Sequence, residues 1–108
     1  MRAILLSAGI GKRLRPITNK IPKCLVKIKN KALIDIWIDD LFKKNKINSI
    51  LINTHYLSQK VYSHVKKNRY KKKIKLIYED QLQGTAGTLM NNLDFFKNED
   101  GLLIHCDN

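Results

Sequence analysis

The sequence predicts an α/β fold, a mostly parallel sheet with helices on both faces. Two observations lead to this prediction. Short apolar runs of strand length alternate along the chain with stretches whose apolar residues recur at helical spacing. Glycine-rich or polar segments follow several of the runs, and in parallel sheets the loops after the strands form the ligand-binding edge. The sequence therefore predicts one α/β domain with its site at that edge.

The elements follow from the chain in order. The apolar runs predict four strands, at residues 3–7, 49–53, 74–78 and 102–106. Helical spacing predicts three helices, one from Leu33 to the polar residues 43–45, one at 58–67 and one at 84–92. The segment 8–22 holds two glycines and two prolines, which indicates a long ordered loop. Long loops in small domains are usually functional.

Length and composition exclude several classes of protein. The 108 residues contain no apolar run near the roughly 20 residues of a membrane span, and the N-terminus is too short in apolar residues for a secretory signal. Cys24 and Cys106 are isolated, which argues against a zinc site or a disulfide framework. We therefore expect a cytoplasmic protein with reduced thiols and no membrane partner.

The formal net charge of +12 raises the question of a polyanionic partner. Seven of the ten residues at 66–75 are basic, and they lie between two predicted elements. A run of this kind is more often a solvated surface than a nucleic-acid site. We favour the solvated surface and expect no nucleic-acid partner.

The first candidate for chemistry is the glycine-rich loop after the first strand. Gly9 and Gly11 would let the backbone N–H groups approach phosphate oxygens, while Arg13 and Lys23 would neutralise phosphate charge. Neither a Walker loop nor a dinucleotide fingerprint is present, because Leu14 stands at the third glycine position of the latter. The alternative is an ordinary glycine turn with surface cations.

Taken whole, the stretch SAGIGKRLRPITNKIPKCL resembles the signature of the sugar-phosphate nucleotidyltransferase family, [AG]-G-x-G-T-R-L-x-P-x-T followed by P-K-x-L. The segments INTHYL, QLQGTAGTL and LLIHCDN resemble that family too, in the family's order. The resemblance implies a Rossmann-like fold in which residues 1–108 form the N-terminal, NTP-binding part of a longer domain. Family members are roughly twice this length, so we expect the domain to be incomplete.

The resemblance also implies roles for individual residues. Arg13 and Lys23 would contact the phosphates and stabilise charge that develops during transfer. Asp107 matches the carboxylate that binds Mg²⁺, although a turn residue is the alternative at that position. The remaining residues of the nucleotide-binding loop are Ala8, Gly9, Gly11 and Lys12, of which Lys12 stands where the family often has Thr.

Glu79 matches the family position that reads the edge of the base. A carboxylate offers only acceptors, which suits the N1–H and N2–H₂ donors of guanine, so GTP is the first choice of NTP. The alternative is a solvent-exposed Glu after a strand. Gly84 and Thr85 would bring backbone groups against the base.

These features together predict a Mg²⁺-dependent enzyme that transfers NMP from an NTP to a sugar 1-phosphate. Mannose 1-phosphate is the first acceptor to consider for a guanylyltransferase, with glucose and heptose phosphates open. Two alternatives remain, a non-catalytic nucleotide-binding or regulatory module and, supported only by net charge, a basic nucleic-acid-binding protein. The sequence leaves self-association into homo-oligomers open.

Overall fold

The computed structural model describes residues 1–9, 15–44 and 46–106. Its strands are β1 (Arg2–Leu6), β2 (Lys27–Ile28), β3 (Lys31–Ala32), β4 (Ser49–Thr54), β5 (Ile74–Tyr78) and β6 (Gly101–His105). Its α-helices are α1 (Leu33–Lys44), α2 (Ser58–Val65) and α3 (Gly84–Asn91). Four of the strands form a parallel sheet in the order β5-β4-β1-β6. The predicted parallel sheet is therefore confirmed.

Strand β1 lies in the interior of the sheet, and its residues alternate between two apolar layers. Ala3 and Leu5 belong to the larger core, which also contains the inward faces of α1 and α2. Ile4 points to the other face, where it packs with Phe95 and with Leu89 of α3. A strand covered on both faces is apolar at every position, which is why AILL is a continuous run. The predicted helices on both faces are confirmed.

Helix α1 buries one stripe of its surface against the sheet. Ile34, Ile38 and Leu41 are the buried residues, at the i, i+4 and i+7 spacing that places side chains on one face. Asp35 lies in the first turn, and Lys43 and Lys44 lie in the last, so these charges complement the helix dipole. Packing and dipole therefore favour the same boundaries for this helix.

Several boundaries differ from the sequence prediction by one or two residues. The last strand ends at His105 rather than at residue 106, although the Cys106 N–H still donates to the Leu6 carbonyl oxygen at 2.9 Å. The second helix ends at Val65 rather than at residue 67. The small hairpin of β2 and β3 was not predicted. Its turn residues Lys29 and Asn30 both have positive φ, as a two-residue hairpin turn requires.

The two edges of the sheet at which the parallel strands begin and end differ in composition. All four end at the same edge, where the polar and glycine-rich segments follow. The basic segment 66–73 precedes β5 and lies at the opposite edge, with its cations exposed. In the described part of the chain, no helix has the length and apolar character needed to cross a membrane.

Candidate functional site

A cleft of about 240 Å³ lies at the edge where the parallel strands end. Its walls come from the ends of β1, β4 and β6, from the segments after β1, β5 and β6, from the turn at residues 23–25, and from α1 and α3. The side chains and backbone that line it are Leu6, Ser7, Ala8, Gly9, Lys23, Cys24, Leu33, Asn53, Glu79, Leu82, Gly84, Thr85, Thr88, His105 and Cys106. This is the position at which open parallel sheets bind ligands.

The cleft brings together every sequence-predicted site residue that the structure describes. These are Ala8, Gly9, Lys23, Glu79, Gly84 and Thr85. The other predicted residues, Gly11, Lys12, Arg13 and Asp107, lie outside the described residues. The structure thus gives the location of the first group, while the role of each residue stays a prediction.

One side of the cleft is formed by the segment that follows β1. Ser7 is held against the end of β4, because its N–H donates to Asn53 Oδ1 at 2.7 Å and its hydroxyl donates to the Asn53 carbonyl oxygen at 2.7 Å. Gly9 has open space where a side chain would project, since none of the described residues has a heavy atom within 4 Å of an added Cβ. Gly9 is also exposed, so an anion can approach this residue.

Lys23 and Cys24 enter the cleft from a short 3-10 turn, Lys23–Leu25. The Leu25 N–H donates to the Pro22 carbonyl oxygen at 2.9 Å, which fixes the start of the turn. Burial raises the pKa of the Cys24 thiol to about 12, against the opposing effect of its hydrogen bond with Ser7. Cys24 is therefore a protonated, packed thiol at neutral pH, and Lys23 is the cation that the turn supplies to the cleft.

The other side of the cleft centres on Glu79, directly after β5. Its side chain is only 4% exposed, so the alternative of a solvent-exposed Glu is wrong. Glu79 Oε2 accepts from the Thr88 hydroxyl, and Glu79 Oε1 accepts from Asn53 Nδ2 at 3.3 Å. The Glu79 backbone is also held, since its N–H donates to the Thr54 carbonyl oxygen at 2.7 Å. Its carbonyl oxygen lies 2.7 Å from His55 Nδ1.

Helix α3 begins beside Glu79 with a residue whose backbone conformation favours glycine. Gly84 has φ of +71°, in the left-handed region that other residues rarely adopt. Thr85 lies in the first turn and Thr88 one turn later, and both face the cleft. The GTAG sequence therefore combines a turn into the helix with a polar helix face.

The end of β6 closes the cleft. Trp37 of α1 donates from Nε1 to the Cys106 carbonyl oxygen at 2.7 Å, which fixes the backbone immediately before Asp107. Among residues 1–9, 15–44 and 46–106, no three His, Cys, Asp or Glu side chains are grouped as a metal site.

Sequence reasoning assigned no role to Ser7, Asn53 or Thr88, all of which line the cleft. Asn53 stands at the end of an apolar run, and polar residues at strand ends gather at one edge of a parallel sheet. That signal was available for Asn53. Thr88 gives no comparable signal, because its burial depends on how α3 packs.

Comparisons with known proteins agree with this geometry. The sequence model of the nucleotidyl transferase family matches residues 2–108. A D-glycero-alpha-D-manno-heptose 1-phosphate guanylyltransferase of Campylobacter jejuni is 32% identical over 99 residues, covering 92% of this chain and 44% of the relative. An N-acetylmuramate alpha-1-phosphate uridylyltransferase of Caulobacter vibrioides is 41% identical over 64 residues, covering 59% and 26%.

Among solved structures, the CTP:phosphocholine cytidylyltransferase of Streptococcus pneumoniae has a TM-score of 0.75 and 31% identity. The match covers 98% of this chain and 44% of that one. The chain thus spans less than half the length of these relatives. Their names include three different bases, so similarity alone leaves the base open.

Proposed function

The chain belongs to the nucleotidyl transferase family, and from that premise we propose that it forms the NTP-binding part of an enzyme that transfers NMP to a sugar 1-phosphate. The observation that carries the proposal is the cleft at the carboxyl edge of the sheet. The exposed backbone of Gly9, the Lys23 side chain and the buried Glu79 carboxylate all line this cleft. The activity, the acceptor and the cytoplasmic location stay predictions for the whole protein.

In the proposed reaction, a phosphate oxygen of the sugar 1-phosphate attacks the α-phosphorus of the NTP. A new P–O bond forms as the bond from the α-phosphorus to the oxygen bridging to the β-phosphorus breaks, and pyrophosphate leaves with that electron pair. Both reactants are anions, so catalysis depends on positioning and on charge stabilisation. No covalent enzyme intermediate is required.

Lys23 and Arg13 are the cations that we assign to the phosphates. Lys23 lines the same cleft as Gly9, which supports its assignment, and the assignment of Arg13 depends on the family resemblance. Loss of either cation should weaken triphosphate binding or turnover by about ten- to a thousandfold, because charge-assisted contacts to developing charge are lost.

Mg²⁺ is the cofactor that we propose, with Asp107 as one of its carboxylate ligands. Mg²⁺ commonly takes one or two carboxylates and completes its coordination with phosphate oxygens and water, so an Asp after β6 suits one of these positions. When bound, the cation would neutralise phosphate charge. Asp107 directly follows Cys106, which lines the cleft, and this supports the assignment.

GTP is the NTP that we propose, on the basis of Glu79. The two hydrogen bonds that its carboxylate accepts leave further lone pairs, and the residue faces the cleft. A carboxylate without donors complements the N1–H and N2–H₂ of guanine. The relatives include a guanylyltransferase beside a uridylyltransferase and a cytidylyltransferase, so the choice of GTP depends on Glu79.

The experiment is equilibrium binding of GTP, UTP, CTP and tripolyphosphate to the 108-residue chain and to two variants. We expect saturable NTP binding that tripolyphosphate competes for and that Lys23→Ala weakens at least tenfold. Lys27→Ala is the matched control, because Lys27 is an exposed lysine of β2 outside the cleft. Equal loss in both variants would refute the assignment of Lys23, and no saturable binding by the wild-type chain would refute the proposed function.

Transfer is tested separately by pyrophosphate release from NTP and sugar 1-phosphates. Because the chain spans less than half of its relatives, we expect little or no turnover from the 108 residues alone. Turnover comparable to that of a full-length relative would contradict this expectation.

A further inference from the structure

A buried polar chain crosses the floor of the cleft and joins its two sides. It consists of Ser7 after β1, Asn53 at the end of β4, Glu79 after β5 and Thr88 in α3, linked in that order by hydrogen bonds. The Ser7 backbone N–H donates to Asn53 Oδ1, Asn53 Nδ2 donates to Glu79 Oε1, and the Thr88 hydroxyl donates to Glu79 Oε2. Asn53 and Glu79 are each 4% exposed, and Thr88 is fully buried. Ser7 is half-buried. Buried polar groups need hydrogen-bond partners, and Asn53, Glu79 and Thr88 supply these to one another.

The orientation of the Asn53 amide is fixed by this chain. Its Oδ1 must face the Ser7 N–H, which can only donate, so its Nδ2 must face Glu79. If the amide flipped, its NH₂ group would face the Ser7 N–H, donor against donor, and its oxygen would face Glu79 Oε1, acceptor against acceptor. The second Ser7 contact, from its hydroxyl to the Asn53 carbonyl oxygen, holds the same pair.

Thr88 binds the other oxygen of the Glu79 carboxylate. Its hydroxyl donates to Glu79 Oε2 and lies 3.5 Å from Asn53 Nδ2. The Glu79 carboxylate is therefore held from two directions, by residues of β4 and α3. A long side chain with three rotatable bonds needs such support to keep one orientation.

We propose that Asn53 and Thr88 are positioning residues that fix the Glu79 carboxylate for base selection, and that Asn53 also couples this carboxylate to the phosphate-binding segment at Ser7. The inference rests on the proposed function. It deepens that function, because base preference then depends on two residues that act through Glu79.

The variants test separately the hydrogen bonds on the Glu79 side and on the Ser7 side of Asn53. Thr88→Val removes the hydroxyl and keeps the shape. It therefore removes the bond to Glu79 and the longer contact with Asn53 Nδ2, while both hydrogen bonds between Ser7 and Asn53 remain. Thr88→Ser restores the hydroxyl. Asn53→Asp keeps an acceptor for the Ser7 N–H, removes the donor to Glu79 and places a second carboxylate beside it. Asn53→Ala removes both contacts and should disturb both sides.

The measurements are dissociation constants for GTP, UTP, CTP and tripolyphosphate, with thermal unfolding to check the fold. We expect the ratio between the weakest and the tightest NTP to fall about tenfold in Thr88→Val and Asn53→Asp, as expected from losing one hydrogen bond to a charged group. Thr88→Ser should recover the ratio. Tripolyphosphate binding should change less than about twofold in Thr88→Val and weaken severalfold in Asn53→Ala.

The outcomes distinguish this inference from the proposed function. NTP binding by the wild-type chain with an unchanged ratio in folded Thr88→Val and Asn53→Asp would overturn the inference and leave the proposed function intact. Should Thr88→Val fail to unfold cooperatively, Asn53→Asp decides. Equal loss of tripolyphosphate binding in Thr88→Val and Asn53→Ala would refute the separate coupling through Asn53. Absence of binding by the wild-type chain would overturn both proposals.

Discussion

The substitution Glu79→Gln tests base selection most directly, and its effect on the protein itself can be worked out from the hydrogen bonds. Asn53 cannot turn its amide, so the Gln oxygen must face Asn53 Nδ2 and the Gln NH₂ must face Thr88. The Thr88 hydroxyl can accept as well as donate. A charge-assisted bond becomes a neutral one, which should cost about 1 kcal/mol in the free energy of unfolding.

The effect on the nucleotide should be larger. If Glu79 accepts from guanine N1–H and N2–H₂, the variant presents a donor to one of these donors and leaves it unsatisfied. Such a group costs about 1 to 3 kcal/mol, which lowers the preference for GTP about ten- to a hundredfold. Binding of UTP, which presents a donor beside an acceptor, should be affected less or improve.

Competition binding of GTP, UTP and CTP to wild type and Glu79→Gln measures the preference, and thermal unfolding measures the fold. Asp80→Asn is the matched control, because the adjacent Asp80 is exposed, lies outside the cleft and loses the same charge. Equal GTP preference in the wild type and in folded Glu79→Gln would show that Glu79 does not read the base.

Three further predictions concern the folded chain. Hydrogen bonds from Asn48, the N-terminal ammonium and Arg2 lower the pKa of Glu99 from 4.5 to about 2. The ionised Glu99 therefore stabilises the folded chain above about pH 4.5, and this contribution is lost as the pH falls toward 2. Urea unfolding at about pH 5 and about pH 2.5 should therefore show a smaller pH dependence in Glu99→Gln than in wild type. Because burial raises the pKa of Cys24 to about 12, iodoacetamide should label Cys24 only after unfolding, and rapid labelling of the native chain would contradict this. Ile38 is fully buried, so Ile38→Ala should lower the free energy of unfolding by about 2 to 5 kcal/mol. Ile36 lies on the same helix and is 37% exposed, so Ile36→Ala should lower it by about 1 kcal/mol or less. Equal losses would contradict the packing of α1.

The sheet could be predicted from the sequence because its strands are continuous apolar runs. Strand β5 was predicted with the bounds Ile74–Tyr78 that the structure has. Strands β1 and β6 begin and end one residue earlier than predicted, and β4 extends one residue further, to Thr54. The β2–β3 hairpin could not be predicted, since two-residue strands are too short to show an alternating pattern.

The position of the site could be predicted from the sequence, but the hydrogen bonds between its residues could not. Glycines and a carboxylate after strands indicate the carboxyl edge of a parallel sheet, and the described members of that set do line one cleft. The partners of Glu79 could not be predicted, because Asn53 is 26 residues away and nothing local links the two. Hydrogen bonds between distant side chains depend on the strand order β5-β4, which short-range patterns do not encode.

The indole of Trp37 gives the protein an intrinsic optical probe. The sequence contains one tryptophan, so its emission is free of overlap from other indoles. Its N–H is bonded to the carbonyl oxygen of Cys106, and indole emission responds to the polarity and hydrogen bonding around the ring. Binding of the proposed Mg²⁺ or nucleotide beside the end of β6 would change this environment, so Trp37 fluorescence can test the proposal without an attached label.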